Sequence, residues 1–573
     1  MTEINNNIAN SEEEDNAYPD KFTNDVDGGR SLLCLRLLRC LNTSMPSENS
    51  IIRQLSTSSS KHEPLLRLSL FEGIPPFIIF YKRPKKSDVL VKKPPNGYKN
   101  SFKWCQTTLL SHIMKRTLKT SHFELVPETS NWLAYYGKHL HTSEYKLLNY
   151  WQRVNHFPAD FHIGRKDRLW QHLLEAGYQH CMPFTYILPK EFPQLREYLK
   201  DNKKHVILKP PASARGRGIQ IVSTIEEVPR DVPLVAQRYV ENPLIINGSK
   251  FDLRLYVYVA SLDPLRIYIR KDGLVRFASV KLIENCYDNP YMHLTNFSLN
   301  KLAKKNGVQD ARSDLKWTLD RFREFVTKEN RCWETLWTKI KDIAAKSIIS
   351  CLPYVLKQQA AYCEYPYLNR ELFGMDILVD SNFEPYILEM NISPSMQTAT
   401  EEDVAVKASL ISDVLNMWRM QFIHDDDIET ADLSYRSKPI PIHKTEEHVK
   451  KEIENCNFFL NTSKISPSIL SHLTDADLRY LIDFEDEFAL RGSFELVFPA
   501  VDTIAQYLQS METTYPNLLL TAWISLAEDD RVLGIERLKS AAATGAHFSE
   551  TNGDVAESAE STETETTSGI ADL

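Results

Sequence analysis

The sequence predicts a mixed α/β protein with a small N-terminal α/β unit, a strand-rich centre and helical C-terminal additions. Three observations predict it. From His205 onward, β-branched and aromatic runs (HVILKP, LVAQRYV, KFDLRLYVYVA, LRIYIRKDG, LVRFAS, FGMDILV, PYILEMNI) alternate with turn residues. Between them, Asp314–Leu356 repeats Trp, Phe, Leu and Ile at helical spacing. Beyond residue 440, HKTEEHVKKEIENC, SPSILSHLTDADLRYLIDFEDEFALR and AVDTIAQYLQSME read as helices.

In chain order, residues 1–60 are rich in Asn, Ser, Glu and Thr and are expected to be disordered. Their apolar run Leu32–Leu41 contains Arg36 and Arg39 and is too short to cross a bilayer, so it reads as a short amphipathic or docking segment. Residues 65–125 form a basic α/β unit, with a strand-like FEGIPPFIIFY followed by the cationic stretch Tyr81–Lys119. Residues 126–204 are aromatic and helix-rich and include KDRLWQHLLEA. Residues 205–420 hold the strands and close on the helix VAVKASLISDVLNMW. A helical extension spans 440–540, and the acidic, low-complexity tail 541–573 is expected to be disordered.

Charge narrows the function classes. A net charge of −8 over 573 residues carries no nucleic-acid footprint. A basic segment on an acidic chain suits an acidic partner. The nine cysteines include no CxxC pair, which argues against a disulfide framework or a zinc site and fits a reducing compartment. The polar, acidic N-terminus does not read as a signal peptide, and no membrane span is expected.

Three constellations carry chemistry. A strand ends at Lys209 and a small-residue loop with Arg215, Gly216, Arg217 and Gly218 leads onward. Backbone N–H groups in such a loop cradle phosphate and its cations neutralise it, although an ordinary hairpin has the same look. In SKFDLRLYV, alternation puts Lys250, Asp252 and Arg254 on one strand face. If buried, these charges must bind each other or a ligand. In FGMDILV and PYILEMNI, read as a hairpin, Glu389 and Asn391 share a face and Asp376 lies across from them. Two carboxylates and an amide oxygen are hard ligands suited to Mg²⁺ beside phosphates.

Together, KPPASARGRGI, QRYV, GSKFDLRLYVYV, DGLVRFAS, MHLTNFS and FGMDIL…PYILEMNISPS resemble, in order and spacing, the tubulin-tyrosine-ligase-like family, nearest its side-chain-initiating polyglutamylases. The resemblance covers Phe71 to Trp418 and extends loosely through LTDADLRYLIDFEDEFALRGSFELVFP. It implies an ATP-grasp fold, with residues 126–204 and 205–420 as its two clamping subdomains, and an ATP- and Mg²⁺-dependent ligase. It implies nucleotide contacts from Lys209, Arg215, Gly216, Gln237, Arg238, Tyr239, Val240, Lys250, Asp252, Thr295 and Asn296. Asp376, Glu389 and Asn391 resemble the magnesium ligands, and Arg276, Phe297 and Lys407 fall at contacts to the incoming amino acid. The implied reaction activates a glutamate γ-carboxylate of tubulin as an acyl phosphate, which the amine of L-glutamate attacks. Arg254 is the candidate for steadying that intermediate, with an ion pair to Asp252 as its structural alternative. Arg215 is the candidate for holding the acceptor carboxylate, because initiating members resemble this chain there and elongating members tend to have Gln.

Two departures stand out. Phe297 replaces the Tyr usual after LTN, and the C-terminal region lacks a strongly cationic helix. A glycylase of the same family is the competing enzyme, but two cations, Arg276 and Lys407, suit a substrate with an extra carboxylate. A non-catalytic tubulin-binding relative would be expected to have lost one of Lys209, Arg254, Asp376, Glu389 or Asn391. The expected setting is a cytoplasmic monomer on microtubules or in the cilium, acting on tubulin or other acidic proteins.

Overall fold

The computed structural model describes residues 47–59, 61–82, 90–201, 203–212, 218–296, 314–425, 445–500, 507–508 and 511–546. The apolar run Leu32–Leu41 lies outside them, as does the tail beyond residue 546. Residues 1–54 and 55–573 form two separate units. In the first, the described residues 47–54 are helical. The disorder expected over 1–60 therefore does not hold there, because SIIRQLS places Ile51, Ile52 and Leu55 at helical spacing.

In the second unit an antiparallel pair, Leu66–Arg67 with Phe77–Ile78, precedes a four-stranded parallel sheet: β1 (Lys103–Cys105), β2 (Glu124–Val126), β3 (Ala134–Tyr135) and β4 (Arg153–Val154), in the order β2-β1-β3-β4. Helix α1 (His112–Thr120) connects β1 to β2. The Ser111 hydroxyl caps it by accepting from the Met114 N–H, and its apolar face buries Ile113, Met114 and Leu118. Helix α2 (Lys166–Glu175) leads towards a second sheet.

That sheet is antiparallel and contains β5 (Thr185–Leu188), β6 (Val206–Lys209), β7 (Gln220–Val222) and β8 (Leu234–Arg238), in the order β5-β8-β6-β7. Helix α3 (Phe192–Tyr198) covers it, setting Leu195 among Tyr186, Leu188, Val206 and Leu208. The sheet runs across residue 204, where the sequence suggests a boundary. The four residues TYIL are too short a run to separate from the helical stretch around them.

The central sheet has eight strands. Its axis is β9 (Ser249–Leu262), fourteen residues long. On one side β9 pairs with β10 (Leu265–Arg270) and β11 (Leu274–Phe277), and outside β11 lies β12 (Lys316–Thr318). On the other side it pairs with β13 (Glu371–Val379), followed by β14 (Pro385–Asn391). The short strand Ile245–Ile246 pairs with the start of β9. Asp314–Leu356, expected to be helical throughout, therefore opens with a three-residue strand before α4 (Leu319–Lys328) and α5 (Trp333–Ile349), with α6 (Leu352–Tyr362) running on from its end. Helix α7 (Glu401–Met417) starts at a Thr400–Asp403 capping box.

The extension 440–540 contains α8 (Glu446–Thr462), α9 (Asp475–Ala489) and α10 (Tyr515–Ile524), followed by α11 (Glu528–Ala543). It is not purely helical. FELVF forms β15 (Phe494–Phe498), which pairs with β10 and completes one edge of the central sheet. Charges buried between β10 and α9 explain why the two segments stay together. Arg266 meets Asp483 at 3.0 Å and Glu487 at 2.9 Å, Arg419 meets Asp483 at 2.6 Å, and the Tyr268 hydroxyl donates to Glu487 at 2.9 Å. Removing one partner from such a buried group costs about 3–5 kcal/mol. Among the described residues the seven cysteines are free thiols, and no helix is long and apolar enough to cross a membrane.

Candidate active site

The second and central sheets face each other across an open cleft lined by residues of both. The end of β6 brings Lys209 into it. The Lys209 Nζ donates to Gln237 Oε1 at 2.7 Å, and the Gln237 amide donates in turn to Thr185. Lys250, on β9, donates to the Tyr239 hydroxyl at 3.2 Å and lies over its ring at 4.3 Å. His293 bonds that hydroxyl from the other side at 2.8 Å. Burial pushes Lys209 down to about 8, against the pull of Glu389, and pushes Lys250 down to about 7. Both lysines would gain from an anion in the cleft.

Arg238, Val240, Thr295 and Asn296 also line the cleft. The Arg238 guanidinium stacks over Phe184 at 4.4 Å and Tyr198 at 4.3 Å and donates to the Tyr186 hydroxyl. Thr295 donates to Asp252 Oδ2 at 2.5 Å.

The acidic end is built by the predicted hairpin. Asp376 on β13 stands opposite Glu389 on β14, and Gly374 stands opposite Asn391. The Asn391 amide donates to Glu389 Oε1 at 3.2 Å and to the Gly374 carbonyl at 3.1 Å. Gly374 has a packing reason: a Cβ there would lie 2.9 Å from Pro394 and 3.4 Å from Arg254.

Two arginines tie this end together. Arg254 grips Asp376 through Nε at 2.5 Å and Nη2 at 3.0 Å. The ion pair with Asp252 suggested by the sequence is thus replaced by one across to β13, because β9 and β13 set Arg254 directly opposite Asp376. Arg276, opposite Asp252 on β11, takes that carboxylate through Nε at 2.7 Å and Nη2 at 2.6 Å, and also reaches Asp376 at 2.8 Å. Burial opposes the charge on Asp376, but Arg254 and Arg276 outweigh it and hold the carboxyl well below the usual range.

Lys407, on α7, sits apart from the cleft lining. Its Nζ donates to the Gln397 carbonyl at 2.6 Å and lies 3.0 Å from Asp403. Arg215, Gly216 and Phe297 lie outside the described residues.

Two cations escape sequence reasoning. Lys166, at the start of α2, lines the cleft and meets Glu389 Oε2 at 2.9 Å. In sequence it is one more lysine opening an amphipathic helix. Lys316, on β12, stands opposite Arg276 and meets Asp403 at 2.6 Å. It was hidden in a window read as helix.

Lysines and carboxylates share one cleft, an arrangement in keeping with a nucleotide-using enzyme. The chain belongs to the tubulin-tyrosine ligase family, whose model matches residues 141–428, and so to the ATP-dependent carbon–nitrogen ligases. It is 41% identical over 497 residues to tubulin polyglutamylase ttll-4 of Caenorhabditis elegans, covering 84% of this chain and 82% of that one. It is 36% identical over 547 residues to tubulin monoglutamylase TTLL4 of Homo sapiens, covering 89% of this chain and 45% of that one. Tubulin polyglutamylase TTLL5 of Homo sapiens is 30% identical over 432 residues, or 69% of this chain and 33% of that one.

Proposed function

We propose that this chain is a protein polyglutamylase. It would use ATP to join the amine of L-glutamate to the γ-carboxylate of glutamates in tubulin tails, starting side chains on microtubules. The reading rests on one combination: an acidic hairpin and buried lysines facing each other, in a chain similar to polyglutamylases along most of its length. The two facing sheets would act as the clamp of an ATP-grasp fold.

A carboxylate is a poor electrophile, so ATP must first convert the acceptor to an acyl phosphate. The amine then forms the new C–N bond as phosphate leaves. Lys209 and Lys250 would neutralise phosphate oxygens, and Tyr239–Val240 would border the base. Arg254, held by two bonds to Asp376, would steady negative charge on the acyl phosphate. Arg276 and Lys407 would receive the carboxylates of the incoming glutamate, and Arg215 that of the acceptor.

Asp376, Glu389 and Asn391 fit a magnesium ion in donor chemistry, being oxygen donors on adjacent strands. Arg254, Arg276 and Lys166 presently balance the carboxylates. When bound, Mg²⁺ would neutralise phosphate charge and act as a Lewis acid.

The test is label transfer to microtubules with Mg-ATP and labelled glutamate, glycine or tyrosine offered separately. Incorporation of glutamate alone, abolished by Glu389→Gln, is expected. Incorporation of glycine alone, or none by a folded enzyme that binds ATP, would overturn the reading.

A further inference from the structure

We propose that Asp403 is a positioning residue for the amino-acid site: its carboxylate holds Lys316 and Lys407 together as a paired receptor. This rests on the reading that Lys407 meets the incoming glutamate, and it goes further by naming what sets that lysine's place.

The geometry starts from the sheet. Two short rows of charges cross it. Lys316 on β12 stands opposite Arg276 on β11, which stands opposite Asp252 on β9. Two residues further along β9, Arg254 stands opposite Asp376 on β13, which stands opposite Glu389 on β14. The rows are therefore cationic at the β12 edge and acidic at the hairpin. Helix α7 packs on the cationic end, contacting β11 and β12. It adds one more cation, Lys407, and one anion, Asp403.

Asp403 makes four contacts. Its Oδ2 accepts from Lys316 Nζ at 2.6 Å and from the N–H groups of Ala399 and Thr400 at 3.1 and 3.2 Å. Its Oδ1 lies 3.0 Å from Lys407 Nζ. The side chain is 2% exposed, and the two lysines are 7% and 8% exposed. Burial lowers the Lys407 pKa, and Asp403 opposes that shift. The shared carboxylate holds the two ammonium groups at one point. It also fixes the segment Gln397–Thr400, whose Gln397 carbonyl takes the second bond from Lys407.

The capping box alone does not account for this arrangement, since a cap needs only the backbone contacts and not two lysines converging from separate elements.

The experiment compares wild type, Asp403→Asn and Asp403→Glu in glutamate transfer to microtubules, with KM for glutamate, KM for ATP and Tm measured for each. Asparagine can still accept from the Ala399 and Thr400 N–H groups, so α7 keeps its cap. The expected result for Asp403→Asn is a rise of about tenfold or more in KM for glutamate, matching the loss of about one charge-assisted contact. KM for ATP should stay near wild type, Tm should fall because two buried ammonium groups lose their counter-charge, and Asp403→Glu should recover part of both losses. A glutamate KM within about twofold of wild type, or equal changes in both KM values, would overturn the positioning role while leaving the ligase reading intact. A wild-type enzyme that transfers no glutamate would overturn both.

Discussion

Replacing Arg276 by Ala probes the most connected cation of the site. The substitution removes two bonds to Asp252 and one to Asp376. Asp376 keeps both bonds from Arg254. Among the described residues, Asp252, 3% exposed, keeps only the Thr295 hydroxyl as a side-chain donor. A buried carboxylate stripped of its partner costs about 3–5 kcal/mol. Burial already pushes Asp252 upward, and the guanidinium is the main force against it. In the variant its folded pKa should therefore stand far above the unfolded value of about 3.9. A carboxyl raised in this way binds more protons folded than unfolded, so stability falls as pH rises above the unfolded pKa. Urea unfolding of wild type and variant should thus show the full loss near pH 8. The loss should shrink by about 1.4 kcal/mol for each pH unit below the new Asp252 pKa. Equal losses at about pH 5.5 and about pH 8, or a loss below about 1 kcal/mol at both, would refute the account of Asp252 as a charge dependent on Arg276.

Mg-ATP binding should draw protons from solvent. With Lys250 at about 7 and Lys209 at about 8 in the free enzyme, an anion that favours their charged forms makes affinity fall as pH rises through that range. Calorimetric titration near pH 8 in buffers of different ionisation heat would show this uptake, and buffer-independent heats would contradict it. Ending the chain before α8 should abolish soluble expression, because it strips Arg266 and Arg419 of Asp483 and Glu487 and opens the β10 edge. A soluble fragment ending near residue 440 that still binds Mg-ATP would show the extension to be dispensable.

The sequence made some of this legible and hid the rest for physical reasons. Glu389 and Asn391 are two apart on one strand, and a short turn brings that strand back against Asp376, so alternation alone aligns the acidic hairpin. Lys250, Asp252 and Arg254 shared a face for the same reason. Which partner each charge takes depends on neighbouring strands far away in the chain. Arg254 finds Asp376 across 122 residues, and Arg276 finds Asp252 across 24. Lys166 and Lys316 carry no local mark, since a lysine opening a helix and one in a three-residue strand look like surface residues until the cleft closes round them. FELVF was absorbed into its helical surroundings because a five-residue strand shows its role only through the strand it pairs with.

The pairing of β15 with β10 has a consequence for biogenesis. More than two hundred residues separate the two strands, so β10 leaves the ribosome long before its neighbour exists. Throughout that interval it is an open edge of apolar residues, Leu265, Ile267 and Ile269 among them, beside arginines whose acidic partners have not been made. Unpaired edges of this kind recruit other chains. Nascent protein should therefore need shielding until residue 498 emerges, and slowed translation between α7 and β15 should lower the yield of native enzyme more than an equal delay after α11.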